Sequence, residues 1–131
     1  LCKKAIANHV DWFDAYYSMG NEYRNAKKFR DAVSLYRKAI AIKPGSPEAY
    51  VELGSLYCAT GDYVKGIRAL RKAIELEPRI AAAYNNLAVA YYSTKRFDLA
   101  IEYCDKAIER GYRVAPAFLE LLRQRRGHSR E

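Results

Sequence analysis

Histidine, glycine-rich loops and long apolar runs are all scarce in this chain of 131 residues. Its two histidines, His9 and His128, have no partner at the spacing of a metal site or a catalytic pair. The sequence contains no phosphate-binding loop, nucleophile motif or Cys-x-x-Cys pair, so we predict no catalytic residue, no metal and no cofactor. No apolar run approaches the roughly 20 residues of a membrane-spanning helix.

Cysteine is also sparse. The three cysteines Cys2, Cys58 and Cys104 are odd in number and widely spaced, which argues against a disulfide framework or a zinc site. Cys2 and Cys104 hold equivalent positions in the repeat described below, and we predict that each is a small buried apolar residue. This usage favours a reducing compartment, and we expect the cytoplasm.

Acidic residues are outnumbered by basic ones, and the formal net charge is +8. The excess lies mainly in residues 1–46, which carry nine Lys or Arg against four Asp or Glu. A basic surface can attract nucleic acid, an acidic protein or an anionic membrane. The simpler interpretation is that these charges solvate the outer faces of helices.

The sequence repeats itself every 34 residues. The stretch Tyr36–Ile40, YRKAI, has counterparts at Cys2–Ile6, Leu70–Ile74 and Cys104–Ile108. A fixed period of this length is typical of stacked supersecondary units. Three full units follow from it, at residues 13–46, 47–80 and 81–114.

Each unit reads as two helices. In the second unit, Tyr50, Leu53 and Tyr57 fall on one helix face, and Gly61 predicts a turn before a second helix. Ser46 followed by Pro47 predicts a capped helix start. Small residues at matching positions predict a close approach of the two helices. These residues are Gly20, Gly54 and Ala88 on the first helices, and Ala32, Gly66 and Ala100 on the second.

The aligned positions resemble the tetratricopeptide repeat family. The second unit carries the pattern as Tyr50, Leu53, Gly54, Tyr57, Gly66, Leu70, Ala73 and Pro78. The resemblance implies an all-α fold, a right-handed superhelical solenoid of antiparallel helix–turn–helix repeats. Residues 1–12 then match the end of a truncated preceding repeat. Residues 115–131 would form a C-terminal capping helix, or the first helix of a fourth repeat, with a polar tail. Lys27 and Lys95 depart from the pattern where Gly61 supplies the turn.

The resemblance also implies a concave groove lined by the first helix of each unit, in which the chain holds an extended peptide or helix of another protein. Asn can donate to and accept from a peptide backbone, and Tyr offers stiff contact area. We expect Tyr17, Asn21, Asn86 and Tyr92 to face away from the core into one channel. The alternative is that this face binds no partner. The candidate peptide-binding residues are Tyr17, Asn21, Glu52, Ser55, Asn85, Asn86, Val89 and Tyr92.

Some members of the family clamp the C-terminal carboxylate of a chaperone with lysine and asparagine residues on three first helices. The matching positions here are Tyr17, Asn21, Glu52, Ala82 and Asn86. The lysines are absent and Glu52 would repel a carboxylate, so we do not expect this subtype.

Two alternatives remain at the sequence level. A basic ridge on the convex side could bind RNA or an anionic membrane, although neither nucleic acid nor membrane is the partner we expect. The ridge residues are Arg37, Lys38, Arg68, Arg71 and Lys72. The chain could also be a regulatory segment of a larger enzyme, because both ends look truncated. Self-association through an exposed apolar face around Cys2 and Ile6 is a further expectation.

Overall fold

The computed structural model of the protein describes residues 12–129, with side chains to residue 126. This part of the chain forms seven α-helices and no strand. The helices are α1 (Trp12–Asn25), α2 (Phe29–Ile42), α3 (Pro47–Ala59), α4 (Tyr63–Leu76), α5 (Ala81–Ser93), α6 (Phe97–Glu109) and α7 (Pro116–Ser129). The expected end of a preceding repeat, with Cys2 and Ile6, lies outside the described residues.

The helices pack in chain order. Contacts are densest within the pairs α1–α2, α3–α4 and α5–α6. The second helix of each pair then contacts the first helix of the next, so α2 meets α3, α4 meets α5 and α6 meets α7. The first helices α3 and α5 also touch directly. The predicted all-α helical-repeat solenoid is confirmed by this arrangement, in which each unit packs against its neighbours.

Buried residues form two clusters rather than one core. The smaller cluster joins the first two helix pairs and consists of Ala32, Tyr36, Leu53 and Leu56. The larger cluster runs from α3 to α7 and includes Leu70, Leu87, Tyr91, Cys104 and Leu122. The buried position of Cys104, 1% exposed, is as predicted. The single tryptophan, Trp12, lies at the start of α1 and is 44% exposed, with its ring centroid 5.9 Å from that of Tyr16.

Each helix pair turns on one residue in the left-handed conformation. At Gly61 the φ angle is 86°, and the flanking N–H of Asp62 donates to the carbonyl of Tyr57 at 2.8 Å. The same bond pattern forms around Lys27 and Lys95, whose φ angles are 63° and 64°. A side chain in this conformation costs roughly 1–2 kcal/mol. The turn is therefore kept without glycine, at the expense of local stability.

Helix ends follow the sequence signals. The Ser46 hydroxyl accepts from the N–H of Ala49 at 3.4 Å, and Pro47 is the first residue of α3, so the predicted capped start is confirmed. Gly111 has a φ of 87° directly after α6, where it ends that helix. These caps satisfy backbone groups that a helix end leaves without an intrahelical partner.

Two helices approach each other closely at glycines in the second unit. A Cβ atom added to Gly54 would lie 2.6 Å from Cγ of Leu70 and 3.0 Å from the carbonyl oxygen of Gly66. A Cβ added to Gly66 would lie 2.5 Å from Sγ of Cys58. The predicted contact between small residues of α3 and α4 is confirmed, and it leaves no room for a methyl group on either helix.

The residue opposite the small position differs among the three units. In the first unit, Gly20 lies under the ring of Tyr36, whose nearest carbon would be 2.7 Å from an added Cβ. In the second unit the opposing residue is Leu70. In the third, the equivalent positions hold Ala88 and Cys104, each at most 1% exposed. A smaller residue on the second helix thus accompanies a larger one on the first, as close packing demands.

The substitution Gly54→Ala tests this contact. Alanine gains about 1 kcal/mol of helix propensity. Overpacking against Leu70 and a backbone carbonyl costs about 1–3 kcal/mol. We expect a net loss of about 1 kcal/mol in the free energy of unfolding, measured by urea denaturation. Gly45→Ala is the control, since no atom lies within 4 Å of its Cβ position and it should be neutral or slightly stabilising. A more stable Gly54→Ala variant would contradict the contact.

The substitution Lys27→Gly tests the strained turn. Removing the side chain at a φ of 63° should stabilise the protein by about 1 kcal/mol. The neighbouring Ala26→Gly is the matched control, because Ala26 lacks a positive φ and glycine there only adds freedom to the unfolded chain. Thermal and urea unfolding should show that Lys27→Gly is more stable than the wild type. Ala26→Gly should be as stable as the wild type or less stable.

Candidate functional site

The first helices of successive units are joined by polar side chains on one face of the solenoid. Arg24 of α1 forms an ion pair with Glu52 of α3. Asn86 of α5 donates from Nδ2 to the hydroxyl of Ser55 on α3 at 2.8 Å. Each bridge joins two successive units, and three of these four residues, Glu52, Ser55 and Asn86, were candidate groove residues. The charge of Glu52 is neutralised locally by Arg24.

A pocket of about 280 Å³, which we call the groove pocket, opens between α3 and α5. Its lining residues are Ser55, Cys58, Ala59, Tyr63, Asn86, Val89, Ala90 and Ser93. The Ser55–Asn86 hydrogen bond lies at its wall, and Val89 beside it is 43% exposed. Small-molecule sites typically occupy roughly 300–1,000 Å³, so this pocket has the size to take one side chain rather than a whole ligand.

Cys58 in the groove pocket is not a nucleophile. It is half-buried and packs against Gly66 of the facing helix. Burial, with a smaller contribution from the Asp62 carboxylate, raises the pKa of the Cys58 thiol to about 11. The thiolate is the reactive form of cysteine, and at neutral pH this thiol stays protonated.

Tyr17 and Asn21 on α1 contact the core side of their unit. The Tyr17 ring lies 5.7 Å from the ring of Phe13 and 5.5 Å from that of Tyr36, measured between centroids. The Tyr36 hydroxyl donates to Oδ1 of Asn21. Burial raises the pKa of Tyr17, and the nearby Tyr36 and Glu48 add to the effect. The expectation that Tyr17 faces away from the core is wrong, because its ring completes a cluster of three aromatic side chains.

Tyr92 at the end of α5 is likewise held by other rings. Its centroid lies 5.2 Å from that of Phe97 and 5.7 Å from that of Phe118 on α7, both in edge-on geometry. Tyr92 therefore packs α7 against the third unit. The expectation that Tyr92 faces away from the core is also wrong. Asn85 is half-buried and has no hydrogen-bond partner among the residues that the structure describes.

Sequence reasoning left out three residues that shape this face. Arg24 pairs with Glu52, Tyr63 lines the groove pocket, and Phe118 contacts Tyr92. Tyr63 and Phe118 stand at repeat positions that indicate packing, so no sequence signal marked them. Nor does the repeat pattern mark Arg24 as the partner of Glu52.

The five residues of the predicted basic ridge have different surroundings in the structure. Arg37, Arg68 and Lys72 line a second pocket of about 400 Å³, which we call the outer pocket. Its lining residues are Arg37, Tyr50, Leu53, Tyr57, Lys65, Arg68, Ala69 and Lys72. Lys38 instead lies over the ring of Tyr16 at 5.7 Å. Arg71 lies near Tyr91. Burial raises the pKa of Tyr91, and the positive charge of Arg71 acts in the opposite direction.

Within the described part of the chain, no group of three His, Cys, Asp or Glu side chains is arranged to hold a metal ion. None of the helices described here has the length and apolar character needed to cross a membrane.

Three helix pairs and a seventh helix in the described residues, with a 34-residue period, define a helical-repeat protein. A family model described as "Tetratricopeptide repeat" matches residues 56–116, and one described as "TPR repeat" matches residues 20–61. The chain belongs to the tetratricopeptide repeat family. No curated protein matches the chain in sequence.

Solved structures of the same fold are numerous. A crystal structure of MamA is 30% identical with a TM-score of 0.76; the match covers 83% of this chain and 64% of MamA, so the chain spans less than two thirds of that relative. The Sgt2 TPR domain from Aspergillus fumigatus is 24% identical with a TM-score of 0.82, over 90% of this chain and 81% of that one. The first TPR of Spaghetti (RPAP3), bound to HSP90 peptide SRMEEVD, is 20% identical with a TM-score of 0.82, over 92% and 98%.

The substitution Tyr92→Ala tests the aromatic contact to α7. Removing the ring takes away its contacts with Phe97 and Phe118, and we expect a loss of about 1–3 kcal/mol in the free energy of unfolding. Tyr92→Phe keeps the ring and serves as the matched control, with stability close to the wild type. Equal stability of the alanine and phenylalanine variants in urea denaturation would show that the ring contacts contribute nothing.

Proposed function

We propose that the chain is a non-catalytic protein-interaction scaffold that binds an extended peptide segment of another protein along α1, α3 and α5. The groove pocket is the feature that supports this function best. It combines an exposed apolar side chain, Val89, with an amide, Asn86, that is held in position by Ser55. An apolar anchor next to an oriented amide is a common way to recognise both the side chain and the backbone of a peptide.

The chemistry of the groove favours a backbone and one apolar side chain as the recognised features. Asn86 uses one N–H in its bond to Ser55, and an amide offers a second N–H and a carbonyl oxygen. Asn85, the preceding residue, is a second half-buried amide on the same helix and lies next to the lining of the groove pocket in sequence, not within it. A peptide side chain entering the groove pocket would contact Val89 and Ala59 while its backbone runs past these amides.

Relatives of the same fold support peptide binding as the class of function, because the first TPR of Spaghetti is bound to an HSP90 peptide. The acidic peptide of that complex is not the occupant we propose here. The positions of a carboxylate clamp hold Tyr17, Glu52 and Ala82 in this chain, and Glu52 is already paired with Arg24. A peptide with an internal apolar residue fits the groove pocket better than a C-terminal carboxylate.

Val89→Asp in the groove, with Val64→Asp on α4 as its matched control, tests this function. Val64 is 70% exposed outside the groove pocket, so both variants add the same charge to an exposed valine. Peptides selected on the wild-type protein from a random library displayed on phage provide the ligand. We expect Val89→Asp and Asn86→Ala to weaken binding by about 1–3 kcal/mol, roughly 5- to 150-fold in Kd, in titration calorimetry.

Val64→Asp should leave the affinity for these peptides unchanged. The reverse result, in which Val64→Asp abolishes binding and Val89→Asp does not, would mean that peptides bind at the face of α4 that carries Val64. Failure to select any peptide on the wild-type protein would also count against a scaffold that reads extended peptides.

A further inference from the structure

The outer pocket corresponds to a site that the chain fills with its own tyrosine one unit later. Ala69 of α4 lines the outer pocket, and the residue 34 positions further is Tyr103 of α6. The Tyr103 ring lies 6.1 Å from the ring of Tyr84 and 5.4 Å from that of Tyr91. The third unit thus shows how an aromatic side chain occupies this position.

The two tyrosines beneath the outer pocket have no aromatic cover among the described residues, and Lys65 lies over one of them, with Nζ 5.8 Å from the ring centroid of Tyr57. Tyr50 and Tyr57 are the counterparts of Tyr84 and Tyr91, and both remain partly exposed. Tyr84 and Tyr91 are only 5% and 2% exposed. Arg110 also covers Tyr84, at 4.2 Å from the ring centroid. The difference leaves a pocket of about 400 Å³ with an apolar floor, which is large enough for a ring.

The rim of the outer pocket is more basic than that of its filled counterpart. Four cations surround it, namely Arg37, Lys65, Arg68 and Lys72. The equivalent residues one unit later are Arg71, Leu99, Glu102 and Lys106, which are two cations, one anion and one apolar residue. The four rim residues of the outer pocket therefore have a net charge of +4, against +1 for the four equivalent residues around Tyr103.

Two of these rim cations have no local counter-charge. Lys65 lies 3.7 Å from Asp62 and Lys72 lies 3.6 Å from Glu75, both in exposed ion pairs. Arg37 and Arg68 form no ion pair with any acidic side chain of the described residues. Arginine binds carboxylates through a rigid fork of donors, so this pair favours a carboxylate partner.

We propose that the outer pocket is a second docking site, which takes an aromatic side chain from an acidic segment of a partner protein. The ring enters above Ala69 against Tyr50 and Tyr57, as Tyr103 does in the next unit. The flanking carboxylates of the segment then meet Arg37 and Arg68. Because the site lies between α2 and α4, outside the groove pocket, the chain can bind two segments on different faces.

The substitution Ala69→Tyr tests the site by filling it with the chain's own side chain. The probe is a fluorescein-labelled, end-capped peptide with one tyrosine flanked on both sides by glutamates. A matched peptide carries alanine in place of the tyrosine. We expect the tyrosine peptide to bind the wild-type protein at least about tenfold more tightly in fluorescence anisotropy, and Ala69→Tyr to lose at least about tenfold. Thermal unfolding should show that Ala69→Tyr is folded.

Arg68→Glu is the second variant, and it leaves the floor of the pocket intact. It copies the residue found at the equivalent position, Glu102, and should weaken the tyrosine peptide at least about tenfold, with a smaller dependence on salt than the wild type. It also keeps the proposal testable if Ala69→Tyr fails to fold. Val89→Asp, in the groove pocket, should bind the peptide as the wild type does.

Each of the following results would overturn the proposal. Equal binding of the tyrosine and alanine peptides would show that charge alone attracts them. Full binding by Ala69→Tyr or Arg68→Glu, or loss of binding in Val89→Asp, would locate the peptide elsewhere, and the last of these would favour the groove. Tighter binding of a labelled oligouridylate than of the peptide, lost in Arg68→Glu but kept in Ala69→Tyr, would make the site a nucleic-acid surface.

Discussion

The separation of the two helices in a unit depends on one contact, in which a residue with little or no side chain faces its partner helix. At Gly54 the facing atoms are a leucine branch point and a backbone carbonyl, so the helices have reached their minimum distance. Gly20 under Tyr36, and Ala88 opposite Cys104, achieve the same result with different volumes. The pairs are built alike, and the second helix of each pair contacts the first helix of the next.

The chemical properties of the two faces of the solenoid depend on residues that take no part in this contact. On the face that carries the groove pocket, successive first helices are joined by Arg24–Glu52 and by Asn86–Ser55, which holds these polar side chains in place. A site with such oriented groups loses less conformational entropy on binding. On the outer face, the exchange of tyrosine for alanine at one repeat position decides whether the gap between second helices is filled or open.

Much of the fold could be predicted from the sequence, because the 34-residue period, the capped start at Ser46 and the small residues each have a direct physical meaning. The orientation of groove side chains could not. Tyr17 and Tyr92 stand at outward positions of their helices, yet both rings turn toward neighbouring aromatic groups, since a large ring gains more by packing than by hydration. The periodic pattern gives the direction of Cβ but not the rotamer, and it says nothing of a pairing such as Arg24 with Glu52.

The division of the buried residues into two clusters has a consequence for cooperativity. In a stack of repeats, stability is approximately a sum of unit and interface terms, so unfolding can begin at one end and proceed inward. Trp12, the one tryptophan of the chain, lies at the start of α1, and its fluorescence therefore senses the first unit, whereas circular dichroism averages over all helices. The two signals coincide during denaturation only if the interfaces couple the units strongly enough for the chain to unfold as a whole.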